Sequence, residues 1–516
     1  MSRTSSLSTL LLGALCICDP AVADPADPAE TAVLRNKPAL LRLSYEVLDV
    51  SAAGTMGSET MGLAGVHYLV NVDPDWYAGV SAFGALQGER GGFFAGGFSG
   101  GVGKRFASKW MLDAGLFVGG GGGGAAPQGR GLMLRPHLDI SRDVGGVMLG
   151  GGVSYVTFPN GGIDSTQLNL ILGIPFEVYY GRARDAGKAV DAGVLADLQV
   201  QESEWLATAG EYQPAGNAQT TAGAAMTASL KLVGFEYRQY LDAHRYFFVE
   251  TAGAVGGQSD GYAELLAGAG YRVPLLSPHL HLGASLAAGG AGGGQVDTGG
   301  GLVGQARVGL DYAIAPALNL GLEGGWIESA GSFSASFYGL SLGYRLGEIG
   351  SGTRGQDWHD SAGTRLSRWR LAGVQQTTFG AARKNGSYQD LSLIGFKVEK
   401  FVTDAIYLSG QAQGAYTGDA GGYAVGLIGA GWEIPLREDG RLSFNVELAA
   451  GAAGGGGVDV GGGAILQPQM GLTWHFSDQF AVNLEAGRVK ALDGKLDSNV
   501  LGVGLMLEFS RPEYHY

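Results

Sequence analysis

Alternation of apolar and polar residues, repeated three times along the chain, is the feature that most constrains the fold. Three segments show it most plainly: LAGVHYLVNVDPDWYAGVSAFGAL from Leu63, LVGFEYRQYLDAHRYFFVETAGAV from Leu232 and LIGFKVEKFVTDAIYLSGQAQGAY from Leu393. Successive side chains of a β-strand point to opposite faces of its sheet. The pattern therefore predicts many strands, each with one apolar and one polar face.

A second anchor gives the repeat its period. GLMLRPHLDIS, GLVGQARVGLD and AILQPQMGLT align so that Pro136, Ala306 and Pro468 correspond, at separations of 170 and 162 residues (306 − 136 and 468 − 306). Solenoid repeats have periods of roughly 20 to 50 residues. Each unit is therefore predicted to be the size of a domain.

The first residues have the features of a secretory signal. Arg3 supplies the positive charge, LSTLLLGALCIC the apolar run, and Ala21–Ala23 the small-residue cleavage site before Asp24. Both cysteines, Cys16 and Cys18, lie in this leader. We therefore expect an exported mature chain without a thiol or a disulfide.

The composition excludes several classes of protein. Beyond the leader no apolar run reaches about 18 residues, so no membrane-spanning helix is predicted. Only 16% of the residues are charged, against about a quarter in soluble domains. The net charge of −14 argues against a nucleic-acid partner and favours divalent cations and lipopolysaccharide as neighbours. The eight histidines have no ligand spacing, so no metal or other cofactor is predicted.

Eight strands of 10 to 15 residues can be traced in the third unit, in the first, and less cleanly in the second. Tilted transmembrane strands need roughly 9 to 11 residues, and bacterial outer-membrane barrels have even strand numbers. We predict an all-β, transmembrane antiparallel β-barrel protein of about 24 strands, built from three eight-stranded repeats. The predicted divisions are a signal peptide over 1–23, an N-terminal segment over 24–39, repeat 1 over 40–181, repeat 2 over 193–347, a linker over 348–368, repeat 3 over 369–510 and a C-terminal tail over 511–516.

Two closures fit three repeats: one wide barrel of about 24 strands, or three eight-stranded barrels in tandem. The long connectors 182–191 and 348–368 favour separate barrels. Inward glycines would leave a small barrel underfilled, since side chains just fill an eight-stranded interior, and we therefore prefer the single wide barrel. These inward glycines are Gly268, Gly270, Gly429, Gly431, Gly502 and Gly504. A soluble sandwich also alternates and remains an alternative.

Connections between strands alternate in length, as they do in outer-membrane barrels, with short periplasmic turns and longer extracellular loops. The loops are rich in glycine, as in GGGGGGAAPQGRG and GAAGGGGVDVGGG. Aromatic residues near strand ends predict interfacial girdles: Trp76, Tyr77, Trp110, Tyr246, Phe247, Tyr271, Trp432, Trp474 and Phe476.

The polar faces of the strands supply candidate lumen-lining residues. Both signs of charge occur, so no ion selectivity is predicted. These candidates are Arg135, His137, Asp139, Glu236, Arg238, Arg307, Asp311, Glu323, Lys397, Glu399, Glu433 and Glu485.

The chain resembles Gram-negative outer-membrane β-barrel proteins as a class. The resemblance rests on strands with alternating apolar and polar residues, on short turns that alternate with longer loops, and on the export leader. The resemblance implies location in the outer membrane, contact with its lipid, and insertion by the β-barrel assembly machinery. In that class the machinery reads an aromatic residue that ends the last strand. Phe509 and Tyr516 are the two candidates for that signal here.

The first functional hypothesis is a pore or export conduit for solutes or polymer, and the second is a structural or adhesive barrel that displays the glycine-rich loops. A hydrolase based on His137, Asp139 and Ser141 is a weaker third, because residues two apart on a strand lie roughly 6.5 Å apart, beyond hydrogen-bond reach. No HExxH pattern occurs, and no enzyme is predicted. Asp297 and Asp459, in turns similar to calcium-binding ones, are interpreted as ordinary loop residues.

Overall fold

The computed structural model describes residues 32–50, 59–107, 109–190, 198–257, 259–350 and 364–514. These residues form 24 strands that pair antiparallel with their neighbours, which confirms the all-β, antiparallel, 24-stranded prediction. The predicted signal peptide and Tyr516 lie outside the described residues. Within the described ranges, no helix is long and apolar enough to cross a membrane.

The first eight strands close into barrel 1, because β1 pairs with both β2 and β8. A short 3-10 helix over Ala183–Asp185 follows β8. The strands of barrel 1 are β1 (Arg35–Asp49), β2 (Thr60–Asn71), β3 (Trp76–Gln87), β4 (Phe94–Phe106), β5 (Trp110–Gly122), β6 (Leu132–Val144), β7 (Val147–Thr157) and β8 (Asp164–Tyr180).

The next eight strands form barrel 2, which closes where its last strand pairs along its full length with its first. They are β9 (Gln199–Pro214), β10 (Leu230–Tyr240), β11 (Arg245–Gly256), β12 (Ala263–Leu275), β13 (Ser277–Gly292), β14 (Leu302–Ala315), β15 (Leu318–Ser329) and β16 (Ser334–Gly350).

The last eight strands form barrel 3, which closes in the same way between β17 and β24. They are β17 (Thr364–Ala382), β18 (Tyr388–Phe401), β19 (Ile406–Ala415), β20 (Ala424–Pro435), β21 (Leu442–Gly454), β22 (Ala464–His475), β23 (Phe480–Ala491) and β24 (Asp497–Tyr514). Two residue pairs, Gly347 with Tyr514 and Glu348 with Glu513, join the edges of barrels 2 and 3.

The preference for one wide barrel is therefore wrong, and the strands pair as the alternative of closed eight-stranded rings requires. The inward glycines were its main support, and aromatic rings from the neighbouring strand occupy the space beside three of them, Gly268, Gly270 and Gly431. Tyr246 lies opposite Gly270, Phe248 opposite Gly268, and a Cβ on either glycine would collide with the ring. Pairing of an aromatic residue with a cross-strand glycine thus fills a small barrel without crowding.

Barrel 3 repeats this arrangement. Tyr407 lies opposite Gly431, and a Cβ on Gly431 would meet the tyrosine ring. The tyrosines in these pairs point inward. Tyr77 lies opposite Gly101 in the same way, and a Cβ on Gly101 would meet its ring. Tyr77 and Tyr246, which were predicted to be interfacial, are only 8% and 6% exposed. Trp76, Trp110, Phe247, Tyr271, Trp432, Trp474 and Phe476 are exposed at strand ends.

Apolar side chains cover the outer surface of each barrel. Leu138, Leu168, Leu286, Leu340 and Leu448 are exposed there, while polar neighbours on the same strands point inward and are buried. Soluble proteins bury their apolar side chains and expose their polar ones, and these barrels do the opposite. The arrangement suits a barrel whose exterior contacts hydrocarbon.

The two ends of the barrels differ. At the turn end, where the first strand of each barrel begins, connections are short, and a single residue, Leu276, separates β12 from β13. At the loop end most of them are longer, up to residues 215–229 between β9 and β10. The glycine-rich segments all lie at the loop end.

The three barrels contact one another in a cycle. The third strand of each lies against the fifth strand of the next: β3 against β13, β11 against β21, and β19 against β5. Neighbouring glycine-rich loops bond directly, because Gly91 N–H donates to the Gly299 carbonyl (2.9 Å) and Gly422 N–H to the Gly121 carbonyl (3.1 Å). Barrel 1 thus contacts barrel 2, and barrel 3 returns to barrel 1.

The contact between barrels 2 and 3 completes the cycle. A Cβ on Gly261 would lie 2.8 Å from the Gly455 nitrogen, so the backbones touch. Lys384 Nζ lies 2.7 Å from a carboxylate oxygen of Asp260. Glycine is required here for close approach of two backbones rather than for flexibility.

Near the turn end, all three barrels meet at a polar junction built from outward-facing residues. Arg511 of barrel 3 lies 3.1 Å from Glu348 of barrel 2, and Tyr237 donates to the same carboxylate over 3.3 Å. Ser510 of barrel 3 exchanges two backbone hydrogen bonds with Gly181, which follows β8. Charges on an outer barrel face are costly in lipid, so their burial here indicates that the barrels pack as one body.

Lys400→Met is expected to loosen this junction. The Lys400 ammonium lies 2.7 Å from Glu513, and Glu513 is 2% exposed. Removal of the cation leaves a buried carboxylate supported by the indole N–H of Trp369 at 2.8 Å. We expect the free energy of unfolding to fall by about 2–3 kcal/mol, measured by urea denaturation in detergent. Lys490→Met, at an exposed strand end, is the control, and an equal loss in both variants would contradict the role of the junction.

Candidate functional site

The interior of barrel 1 contains two ion-paired groups. Arg135 makes a two-pronged contact with Glu46, at 2.7 and 3.1 Å. Nearer the turn end, Arg42 Nη1 lies 3.1 Å from Asp113 and 3.5 Å from Asp139. Because buried charges are stable only when they are paired and hydrogen-bonded, these contacts fix the strands that carry them.

The interior of barrel 2 is organised around two arginines on β10 and β14. Arg307 lies 2.7 Å from Glu236, 2.5 Å from Glu250 and 3.3 Å from Glu323. Arg238 contacts Glu236 as well. Beside Arg238, Arg307 and Glu323 a cavity of about 10 Å³ remains, enough for about one water molecule.

The interior of barrel 3 has Arg370 at its centre. This side chain is 0% exposed and contacts three carboxylates, those of Glu399, Glu433 and Glu508. Lys397 lies 3.1 Å from Glu399 and forms the second centre, with Glu447 at 2.6 Å and Glu485 at 3.0 Å. The two centres share Glu399, so the network runs along the barrel axis.

The structure places all twelve lumen candidates inside barrels, but in three separate interiors. The first barrel holds Arg135, His137 and Asp139, the second Glu236, Arg238, Arg307, Asp311 and Glu323, and the third Lys397, Glu399, Glu433 and Glu485. They are buried in ion pairs, with side chains at most 18% exposed. They do not line one common passage.

Sequence reasoning missed several members of these networks. Arg370 and Glu508 are hubs of barrel 3, and Glu46, Asp113, Glu250 and Glu447 are the partners of predicted residues elsewhere. Glu508 could have been found, because it follows outward Leu507 on the same strand and must face inward. The pairing partners could not, since they depend on strands far apart in the chain.

The geometry does not assemble a nucleophile in barrel 1. His137 Nε2 lies 2.8 Å from Asp113 and also contacts Tyr77 and Arg42. The Ser141 hydroxyl has no hydrogen-bond partner within the described ranges, so no base activates it as nucleophilic catalysis requires.

Asp113, His137 and Asp139 place possible metal-ligand atoms within 4.8 Å of one another. The Arg42 guanidinium contacts both carboxylates, so a cation from the chain already occupies the position that a metal ion would need. The cluster therefore has the character of a buried ion-pair group rather than of a metal centre.

At the loop end, the Asp297 carboxylate forms hydrogen bonds that link loop segments. Its carboxylate accepts hydrogen bonds from the Gly299 N–H at 3.1 Å and from the Ser332 hydroxyl at 2.7 Å. Burial alone would raise the pKa of Asp297, but these hydrogen bonds outweigh it and lower the pKa. Asp459 accepts one from the Lys495 N–H over 3.5 Å. Both residues tie loop segments together.

No family model matches the chain, and no curated protein matches it. Among solved structures, OccAB3 from Acinetobacter baumannii matches at 11% identity, covering 92% of this chain and 99% of that one, with a TM-score of 0.23. The outer membrane protein opdK from Pseudomonas aeruginosa matches with the same values. The ferric enterobactin receptor of Pseudomonas aeruginosa matches at 9% identity, covering 93% of this chain and 82% of that one, with a TM-score of 0.28. TM-scores this low support no conclusion about the fold or function of this chain. Its barrel architecture follows from its own strand pairing.

Proposed function

We propose that this protein is a scaffold of the Gram-negative outer membrane, in which three closed barrels hold one joined set of glycine-rich loops at the cell surface. The observation that carries the proposal is that buried ion pairs occupy the interior of each barrel. In each barrel a buried arginine pairs with two or more carboxylates, as at Arg42, Arg307 and Arg370.

Filled interiors favour a closed resting state. An eight-stranded barrel encloses little more than its own side chains. A solute would have to separate buried ion pairs, and removal of one partner from such a pair costs about 3–5 kcal/mol. The described interiors therefore support a structural barrel better than an open pore.

The joined loops support the display role. An isolated glycine-rich loop binds poorly because its ordering is entropically costly. Here the loops are ordered by one another, as in the Gly91 to Gly299 and Gly422 to Gly121 hydrogen bonds. A preordered surface lowers the cost of binding a partner.

Three further points belong to the proposal. Residues 1–23 serve as the signal peptide, and the three sequence repeats correspond to the three barrels, with the turn end in the periplasm. The assembly machinery reads β24, which carries Phe509 on its outer face opposite Trp369. The barrels contact membrane lipid and lipopolysaccharide.

Planar-bilayer recording of the mature chain, Asp24 to Tyr516, tests the proposal. We expect protein that is folded and inserted, shown by protease protection in vesicles, to give no large conductance steps, because each interior is closed by ion pairs. Arg437→Gln, at an exposed turn, is a matched control that should be equally silent. Large, stable steps from inserted wild-type protein would overturn the closed scaffold and restore an open conduit.

A narrow conduit through barrel 2 is a second candidate function. The cavity of about 10 Å³ beside Asp311 and Glu323 favours it, because a polar cavity of that size can hold a water molecule. Small, cation-preferring steps that Glu323→Gln weakens would support this candidate over the scaffold.

A further inference from the structure

We infer that the turn end of barrel 1 binds the phosphate headgroup of an anionic phospholipid in the periplasmic leaflet. The inference rests on the proposed function, because it requires this end of the barrel to lie at the inner surface of the outer membrane. The site, here called the basic turn, consists of Lys104, Arg105, Lys109 and Arg142 around Phe106 and Trp110. Lys104 and Arg142 lie on the outer face, whereas Arg105 pairs with Met111 on the inner face and is exposed at the rim of the barrel.

The basic turn faces lipid as well as water. Trp110 pairs with Phe106 on one side and with Arg142 on the other. Asp113 points into the barrel, so Trp110, three residues earlier on the same strand, points outward. Phe106 and Trp110 are 46% and 37% exposed. Exposed aromatic side chains at the end of a lipid-facing strand mark the depth of the headgroups.

Cations flank these rings on the outer face. The Arg142 guanidinium lies 5.5 Å from the centre of the Trp110 ring, within cation–π range. Lys104 pairs with outward Leu112, which is 45% exposed. An arginine beside an aromatic ring, with no carboxylate partner, keeps its donors free in the fork geometry that suits a phosphate.

The four cations are available for a ligand. In the described part of the chain, no carboxylate forms an ion pair with Lys104, Arg105, Lys109 or Arg142. The nearest acid in sequence, Asp143, uses its carboxylate to accept the Gly146 N–H at 2.9 Å. A positive cluster of this kind on a chain with a net charge of −14 attracts an anion.

Corresponding turns in the other barrels lack this character. In barrel 2, Arg272 points inward to Glu202 at 3.3 Å, and the turn itself is Leu276. In barrel 3, Arg437 lies 3.4 Å from Asp439. In barrel 3 that turn also keeps one cation without an ion pair in the described part of the chain, Arg441, whose backbone N–H donates to Asp439. Barrel 1 has four such cations, with no acid between Lys104 and Lys109, and this local excess of positive charge points to a ligand there.

Lipid titration of the mature chain tests the inference. Protein in neutral detergent is titrated with phosphatidylglycerol and with phosphatidylcholine, and bound lipid is counted by native mass spectrometry. We expect roughly tenfold tighter binding of phosphatidylglycerol, since basic side chains near an anionic surface each add to the attraction. The preference should fall to about twofold or less in the variant with Lys104→Gln, Arg105→Gln, Lys109→Gln and Arg142→Gln.

A control variant removes cations at the loop end instead, by Lys231→Gln, Lys490→Gln and Lys495→Gln, and should retain the preference. Wild-type protein that inserts into vesicles but binds both lipids equally, or a basic-turn variant that retains the preference, overturns the inference alone. Folded protein that does not insert into vesicles overturns the proposed function, and the inference with it. Circular dichroism confirms that each variant has folded.

Discussion

Arg370→Met is expected to lower the free energy of unfolding by about 3–5 kcal/mol, the cost of leaving buried charges unpaired. Arg370 is 0% exposed, and its guanidinium serves Glu399, Glu433 and Glu508 together. Methionine fills part of the same volume, so most of the loss comes from the charges rather than from a cavity. Urea denaturation of the protein in vesicles, followed by tryptophan fluorescence, measures it.

The control is Arg437→Met, because the Arg437 side chain is 66% exposed and its ion pair with Asp439 lies in solvent. Exposed pairs contribute about 1 kcal/mol or less. A loss below about 1 kcal/mol for Arg370→Met would mean that water reaches the carboxylates, and the closed state of barrel 3 would have to be abandoned.

Gly92→Ala is expected to separate barrels 1 and 2 at the loop end. Gly92 has a φ of +84°, and a Cβ there would collide with the backbone of Gly293 on the other barrel. The strain of a left-handed alanine costs about 1–2 kcal/mol, and displacement of the neighbouring backbone adds about 1–3 kcal/mol. Unfolding free energy and the rate of cleavage by proteinase K within 293–301 report the two effects.

Gly386 supplies a matched control for that change. It has the same φ of +84°, but a Cβ there would meet nothing within 4 Å. Gly386→Ala should therefore show the backbone strain alone, with no faster cleavage of 293–301. Equal behaviour of the two alanine variants would show that contact between the loops does not hold barrels 1 and 2 together.

Much of the strand content was predictable, because alternation is a local property. The inward face of β18 was predicted at Lys397 and Glu399, and both side chains are buried. Strand register within a hairpin follows from adjacent sequence, so the order of strands inside each barrel could also be predicted. The same reasoning puts Glu236 and Arg238 inside barrel 2, where they contact each other.

Ring closure was not predictable in this way. The same alternation fits a wide ring and a narrow one, and the choice depends on whether β9 pairs with β8 or with β16. The interior of barrel 2 is filled because Tyr246 lies opposite Gly270. The glycine considered without its cross-strand partner wrongly indicated an underfilled small barrel. The ion pairs were not predictable either, because partners such as Arg370 and Glu508 are 138 residues apart. The alternation of each strand predicts only that both side chains face inward.

The cyclic contact between barrels has a consequence for the order of the chain. Each barrel offers its third strand to the next and its fifth strand to the previous one, so the assembly has no first or last member in space. A gene permuted to encode barrel 2, barrel 3 and then barrel 1 would preserve every contact between loops. It would change only the connectors at the turn end, where the chain passes from one barrel to the next.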